Sequence, residues 1–304
     1  MATSETSETH QVVFVGGGAG GLSVASALLQ QRPDLDIAVI EPSESHYYQP
    51  AWTLVGGGAY DIKATQRAEA DCMPRQARWI KQRVTGFEPE QNTITLENGL
   101  TVGYEYLVVA AGIQLDWHKI EGLEDTLGKN GVTSNYSFDF APYTWECIRN
   151  FRGGRAVFTQ PAPPFKCAGA PQKILYLAAD YFRRHGISAE MHFCTAGAAM
   201  FGVPFYSKAL EKVIEQYGAT PDYKHNLVAV DGPNKKATFA VGDEKETTTL
   251  DFDMLHVVPP QSAPDFIKNS PLANDAKAAL NERHRVLAGE VESDEVFAAL
   301  EGLW

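Results

Sequence analysis

Cysteine is scarce in this sequence, and so is positive charge. The four cysteines stand at positions 72, 147, 167 and 194 of 304 residues, with no C-x-x-C among them, a spacing that suggests neither a zinc site nor a disulfide framework. Lysine and arginine number 26 against 38 acidic residues, a net charge of −12. With no basic cluster, such a surface repels a phosphate backbone instead of releasing its counterions, which excludes a nucleic-acid partner. No apolar stretch approaches the roughly 18 residues of a spanning helix, although peripheral membrane contact stays open. There is no lysine or arginine before Arg32, so the charged start of a secretory signal and the arginine-rich character of a transit peptide are both missing. The expectation is a bacterial cytosolic chain.

What is present suffices for a large core. With 44% hydrophobic residues, the length suits one large domain or two. The stretch from Gln11 to Glu41 reads as strand, glycine turn, helix, strand. Gln11 to Val15 is β-branched, Leu22 to Leu29 is apolar at helical spacing, and Asp36 to Ile40 is a second buried strand. Between the first strand and the helix lie Gly16, Gly18 and Gly21, a G-x-G-x-x-G. Gly16 permits a tight turn, Gly18 lets the backbone approach a pyrophosphate, and Gly21 allows close helix packing, while the helix N-terminus offers unpaired N–H groups to the phosphates. Glu41, ending the second strand, is placed to accept hydrogen bonds from ribose hydroxyls. The motif gains its weight from that strand, that helix and that acid about 20 residues on. A cradle this near the start is usual for FAD-binding chains of the class. Further on, Tyr106 to Ala110 reads as an apolar strand leaving through Ala111-Gly112.

The second half repeats the architecture without the cradle. Ala156 to Thr159 reads as a strand, Gln172 to Arg184 as a helix and Ala189 to Cys194 as another strand, again β-α-β. The turn between the first two is QPAPPFKCAGAPQK. Its prolines at 161, 163 and 164 supply no N–H donors, and a cysteine, Cys167, stands where a nicotinamide domain would have glycines. A helix starting near Pro171, together with Lys166, would stabilise a thiolate at Cys167. His46, near the glycine turn, and His118, beside Trp117, could adjoin a flavin, but the favoured reading for both is an ordinary core or surface histidine, and Trp52 and Trp117 read as core. No metal site is expected.

The runs HYYQPAWTLVGGGA (46–59), GIQLDWHKIEGL (112–123), SNYS (134–137), KCAGAPQKILYL (166–177) and MLHVVPPQSAPD (254–265) resemble the sulfide:quinone oxidoreductases, from about residue 11 to about residue 273. The resemblance implies a peripheral membrane flavoprotein that oxidises hydrogen sulfide through a cysteine persulfide and passes two electrons through FAD to a quinone, the sulfur leaving to a small acceptor. It implies a bacterial cytoplasmic location or the cytoplasmic face of the inner membrane. By this likeness Cys167 is one of the family's two redox cysteines, with Lys166 beside it. Gly16, Gly18, Gly21 and Glu41 match the FAD cradle, Gln49, Pro50 and Thr53 the stretch along the flavin, and Ala111 and Gly112 the exit turn. The implied fold is α/β with two Rossmann-like domains: an FAD domain over 1–125, incomplete at its C-terminal part, and a second domain over 126–273. Residues 274–304 read as a charged helical tail foreign to the family, where the family has a returning strand ending in Gly-Asp, its second cysteine and its quinone pocket. Cys194 is the first candidate to replace that cysteine, although the reading does not favour any replacement. Two other readings stay open: an inactive remnant without flavin, and an NADH:quinone oxidoreductase-like flavoprotein, which the missing second cradle disfavours.

Overall fold

The computed structural model describes residues 6–242 and 246–273; the tail expected over 274–304 lies outside them. The described residues divide into two compact units, one of residues 6–47, 66–114 and 262–273, the other of residues 48–65, 115–242 and 246–261. These units interleave along the chain, whereas the sequence reading cuts it at 125 and 273.

The first unit is built on a six-stranded sheet. Its strands are β1 (Thr6–Val15), β2 (Ile37–Ile40), β3 (Arg78–Ile80), β4 (Val84–Glu88), β5 (Thr93–Leu96) and β6 (Thr101–Val109), in the spatial order β3-β2-β1-β6-β5-β4. The ladders from β3 through β6 are parallel, and β5 and β4 add on antiparallel. The unbroken apolar run in β1 follows from burial on both faces. Val12 and Phe14 pack with Leu22, Ala25 and Leu29 of helix α1 (Ala19–Gln31), while Val13 and Val15 join Ile40, Phe87 and Ile94 on the other side. A short antiparallel pair, Ser45–Tyr47 against Gln66–Ala68, brackets the excursion that belongs to the second unit.

That second unit carries a five-stranded parallel sheet and a three-stranded antiparallel one. The elements are β7 (Val132–Thr133), α2 (Ala141–Asn150), β8 (Gly154–Gln160), α3 (Ala170–Arg184), β9 (Ala189–Thr195), α4 (Pro204–Gln216), β10 (Ala219–Tyr223), β11 (His225–Asp231), β12 (Lys236–Val241), β13 (Glu246–Asp251) and β14 (Met254–His256). The parallel order is β7-β14-β8-β9-β10, and β11-β12-β13 form the antiparallel meander. Helix α3 is apolar at helical spacing because Ile174, Leu175, Ala178 and Phe182 are buried against Phe158, Met191 and Phe193. The short helix Trp52–Gly56 joins this unit through glycine. A Cβ on Gly57 would stand 2.6 Å from Leu177 Cδ1, and one on Gly56 would meet Ile174 and Thr144. The α/β class and both β-α-β repeats are as the sequence reading has them. Elements run longer than read: β1 starts at Thr6, where TSETH has no apolar pattern, and α1 reaches both ways from Leu22–Leu29.

Candidate functional site

In the first unit the glycine turn is shaped by close contact. Gly16 has φ +109°, and a Cβ there would stand 2.5 Å from the Ala110 carbonyl oxygen. A Cβ on Gly21 would lie 2.1 Å from the Gly16 carbonyl oxygen, so the first turn of α1 fits tightly over the end of β1. The exit of β6 closes the same corner, where the Ala110 N–H donates to the Val15 carbonyl at 2.7 Å. The sequence-read residues Gly16, Gly21 and Ala111 therefore meet, and Gly112 follows with φ +81° and open space before it.

Gly18 is different. It caps α1 with extended backbone (φ −71°, ψ −179°) and no side-chain cap, and a Cβ there would meet nothing within 4 Å. Gly18, Ala19 and Gly20 are exposed. The helix thus presents its N-terminal N–H groups, the positive end of its dipole, to open space, which fits a pyrophosphate. Glu41 accepts hydrogen bonds from the Gly17 N–H at 2.9 Å and the Ser43 N–H at 2.7 Å, which locks the carboxylate at the mouth of the turn.

A second carboxyl, which sequence reasoning missed, borders the same turn. Glu69 is 2% exposed, its Oε2 lies 3.1 Å from His46 Nδ1, and its Oε1 is buried without a partner. A Cβ on Gly17 would stand 2.7 Å from that Oε1. Burial pushes the Glu69 carboxyl up; His46 pulls it back, and Glu41 pushes it further up.

In the second unit, Cys167 is exposed, unlike Cys72, Cys147 and Cys194, and all four are free. It sits at φ +65°, a left-handed conformation that a non-glycine residue rarely takes, two residues before Gly169 caps α3 without a side-chain bond. Its carbonyl accepts the Ala170 N–H at 3.0 Å. Lys166 is tied at both ends: its N–H donates to Gln261 Oε1 at 2.6 Å and its Nζ to Gln49 Oε1 at 3.4 Å. Pro50 is exposed beside Gln49, and buried Thr53 Oγ1 accepts from Asn135 Nδ2 at 3.0 Å. Cys194, the first candidate for a replacement redox partner, is instead fully buried among Val157, Leu227 and Phe239. Its Sγ lies 3.8 Å from Asp222 Oδ2, and burial and that carboxylate push its thiol well up. A thiol held protonated in the core is no partner for Cys167.

The carboxyl ends of the parallel strands collect buried polar atoms. His256, at the end of β14, is 0% exposed and contacts the Asn135 N–H (3.2 Å) and Oδ1 (2.8 Å) through Nε2, leaving Nδ1 without a partner. Burial pushes the ring down to about 3, so it is neutral near pH 7. Gln160 Oε1, at the end of β8, Gln261 Nε2 and the Tyr136 hydroxyl are also buried without partners. This is the edge at which open α/β sheets bind ligands. Nothing in the local sequence marks Tyr136 or Gln261, except that both fall in runs that carry the family likeness. Among the described residues no cluster of histidine, cysteine and acid is arranged for a metal, and no helix is long and apolar enough to cross a membrane.

Residues 10–140 match the family model described as pyridine nucleotide-disulphide oxidoreductase. The chain is 46% identical over 292 residues to the mitochondrial sulfide:quinone oxidoreductase of Dictyostelium discoideum, covering 95% of this chain and 64% of that protein. It is 42% identical over 275 residues to the mouse mitochondrial counterpart, covering 89% of this chain and 61% of that protein. The chain thus spans less than two thirds of the length of these relatives. The solved sulfide:quinone oxidoreductase of Aquifex aeolicus superposes with a TM-score of 0.75 at 20% identity, over 88% of this chain and 63% of that one. In sequence the chain is similar to sulfide:quinone oxidoreductases over most of its length and, over residues 10–140, to the pyridine nucleotide-disulphide oxidoreductases; it shares the fold of the solved Aquifex protein.

Proposed function

We propose that this chain is an FAD-dependent oxidoreductase that oxidises hydrogen sulfide at Cys167 and delivers the electrons to a quinone. The observation that carries the reading is Cys167: an exposed thiol, held at a left-handed turn before an uncapped helix, in a chain 46% identical to a sulfide:quinone oxidoreductase.

The first unit's residues fit the dinucleotide. Gly16, Gly18 and Gly21, with the exit turn Ala111-Gly112, leave the phosphates room, and the open N-terminus of α1 supplies donors and a favourable dipole. Glu41 is the acceptor for ribose hydroxyls. By resemblance, Gln49, Pro50 and Thr53 run along the flavin. When bound, FAD supplies a two-electron acceptor. Cys167 supplies the sulfur to which hydrosulfide is joined: the S–S bond forms, the S–H bond of HS⁻ breaks, and its proton goes to solvent. The two electrons released as the S–S bond forms would go to that acceptor, with a quinone and two protons as their final destination. Lys166 adds a positive charge beside the thiolate, which lowers the cost of the anion. The outer sulfur then leaves to a small nucleophile such as sulfite or a thiol. A lipid-soluble acceptor supports peripheral association with a membrane, and we place the chain at the cytoplasmic face of a bacterial inner membrane.

The test is spectroscopic. The purified chain loaded with FAD should show a flavin spectrum that sulfide bleaches, and Cys167→Ser should hold the spectrum while losing the bleaching by at least about a hundredfold in rate. Bleaching by sulfide at the wild-type rate in Cys167→Ser would overturn the assignment. Bleaching by NADH in place of sulfide would move the chain to the NADH:quinone oxidoreductases.

A further inference from the structure

Two hydrogen-bond donors near Cys167 are buried with nothing to donate to. The Gln261 side chain is 4% exposed; its Oε1 accepts the Lys166 N–H at 2.6 Å, which fixes the amide against the residue before Cys167, and its Nε2 has no partner. The Tyr136 hydroxyl is buried and also has no partner. It lies within electrostatic reach of Cys167, whose negative charge, after burial, is the second influence holding the phenol protonated. Leaving a buried donor unmet is expensive in a folded protein, and these two lie at the strand-end edge, one fixed to the residue before Cys167 and one within its electrostatic reach. Both residues come from the strand-end edge. Tyr136 follows β7, its own N–H donating to Ser134 Oγ at 3.2 Å, and Gln261 lies just beyond β14.

Their chemistry selects the ligand. An amide N–H and a protonated phenol donate and carry no charge, so they favour an anion without paying for a buried cation. The anion that belongs on a cysteine is sulfur. We propose that the Tyr136 hydroxyl and the Gln261 Nε2 amide form a two-donor seat for anionic sulfur at Cys167, holding the thiolate and then the outer sulfur of its persulfide. This rests on the sulfur chemistry proposed above, and it adds the groups that bind the substrate class there. The charged or titratable groups nearest in the chain and its contacts are Lys166, next to Cys167, Lys173, whose Cε would stand 3.5 Å from a Cβ on Gly169, and the neutral His256, whose Nε2 meets the N–H of Asn135, the residue before Tyr136.

The experiment reads Cys167 alone and needs neither flavin nor turnover. The full chain is alkylated with iodoacetamide across about pH 5 to 9, and the Cys167 peptide is quantified by mass spectrometry. Tyr136→Phe should move the midpoint upward and slow alkylation near pH 7 by about tenfold, a change of about one pH unit. Gln261→Glu keeps an acceptor for the Lys166 N–H but turns the second donor into a charged acceptor, so it should slow alkylation further still. On the FAD-loaded chain, both should raise KM for sulfide more than they lower kcat. If both variants follow the wild-type alkylation curve, the seat is overturned, whatever the flavin does. If instead Cys167→Ser still oxidises sulfide, the functional assignment fails while the alkylation curves still decide the seat. Should Tyr136→Phe fail to fold, Gln261→Glu decides by itself.

Discussion

The two units run the same strand-turn-helix device and fill it with opposite residues. In the first, β1 leads through VGGGAGG into α1; in the second, β8 leads through QPAPPFKCAGAPQK into α3. Both helices begin without a capping side chain, so both have N–H groups to offer. Glycine at 16 and 21 lets the first turn fold onto itself and leaves Gly18 facing open space, which suits a phosphate. Proline in the second turn removes donors, and a thiol stands where the phosphate would be. The scaffold is shared; the content of the turn decides which chemistry it can serve.

The most destructive way to break that comparison is to give the first turn a side chain. At Gly16, with φ +109° and a Cβ 2.5 Å from the Ala110 carbonyl oxygen, alanine should cost about 2–4 kcal/mol, read as a fall in Tm of roughly 5–10 °C. Gly18→Ala meets nothing within 4 Å and keeps an ordinary φ of −71°, so the fold should melt within about 1 °C of wild type. Its methyl group would nonetheless stand where a pyrophosphate must approach, and FAD affinity, measured by flavin fluorescence, should drop about tenfold, or about 1.4 kcal/mol. A Gly18→Ala chain that binds FAD as wild type does would mean the turn is structural only.

The second unit answers to acid. His256 is fully buried and neutral, its ring pushed down to about 3, whereas in the unfolded chain it titrates near 6.5. Between those values the unfolded state holds the extra proton, so stability falls as pH falls through that window and is fully present above about 6.5. The expected loss is about 2 kcal/mol between pH 6.5 and 5. Chemical denaturation at a series of pH values should show that slope in wild type and a flatter one in His256→Asn, whose side chain does not titrate. Parallel curves for the two proteins would show that the ring is not the group responsible.

Legibility in the sequence divides along the same line. The cradle could be read because its signal is local: glycine spacing, a flanking strand and helix, and an acid at a set distance all lie within 11–41. Cys167 stood out by its neighbours Lys166 and Pro171. Glu69, Tyr136, Gln261 and His256 gave no such signal, because each reaches its site through topology. Glu69 reaches Gly17 only after the chain has left for the second unit and returned, and Gln261 reaches Lys166 only after the chain has run through α3, α4 and the antiparallel meander. The interleaving itself was invisible, since the apolar positions of Trp52 and Val55 show that residues 48–65 are covered without showing by what. Cys194 is only the first candidate for a replacement that the sequence does not favour, and the structure shows why. Proximity in the β-α-β pattern suggested a partner, but its alternation along β9 turns it into the core with Val157 and Phe239.

The smallest effect sharpens the comparison most, because it should have the opposite sign. Glu69 is 2% exposed, and burial raises its carboxyl above the ordinary value of 4.5. Here the folded state holds the extra proton, so its contribution is fully present below the unfolded value and is lost as pH rises through the raised one. His46 offsets part of that loss by pairing with Oε2 at 3.1 Å, which keeps the expected decline shallow. Glu69→Gln keeps the shape and the contact with His46 but cannot ionise, so it should remove the decline on the alkaline side of pH 4.5 and leave the acid-side slope from His256 untouched. A Glu69→Gln chain whose stability profile parallels wild type above pH 4.5 would show that this carboxyl is not the group responsible.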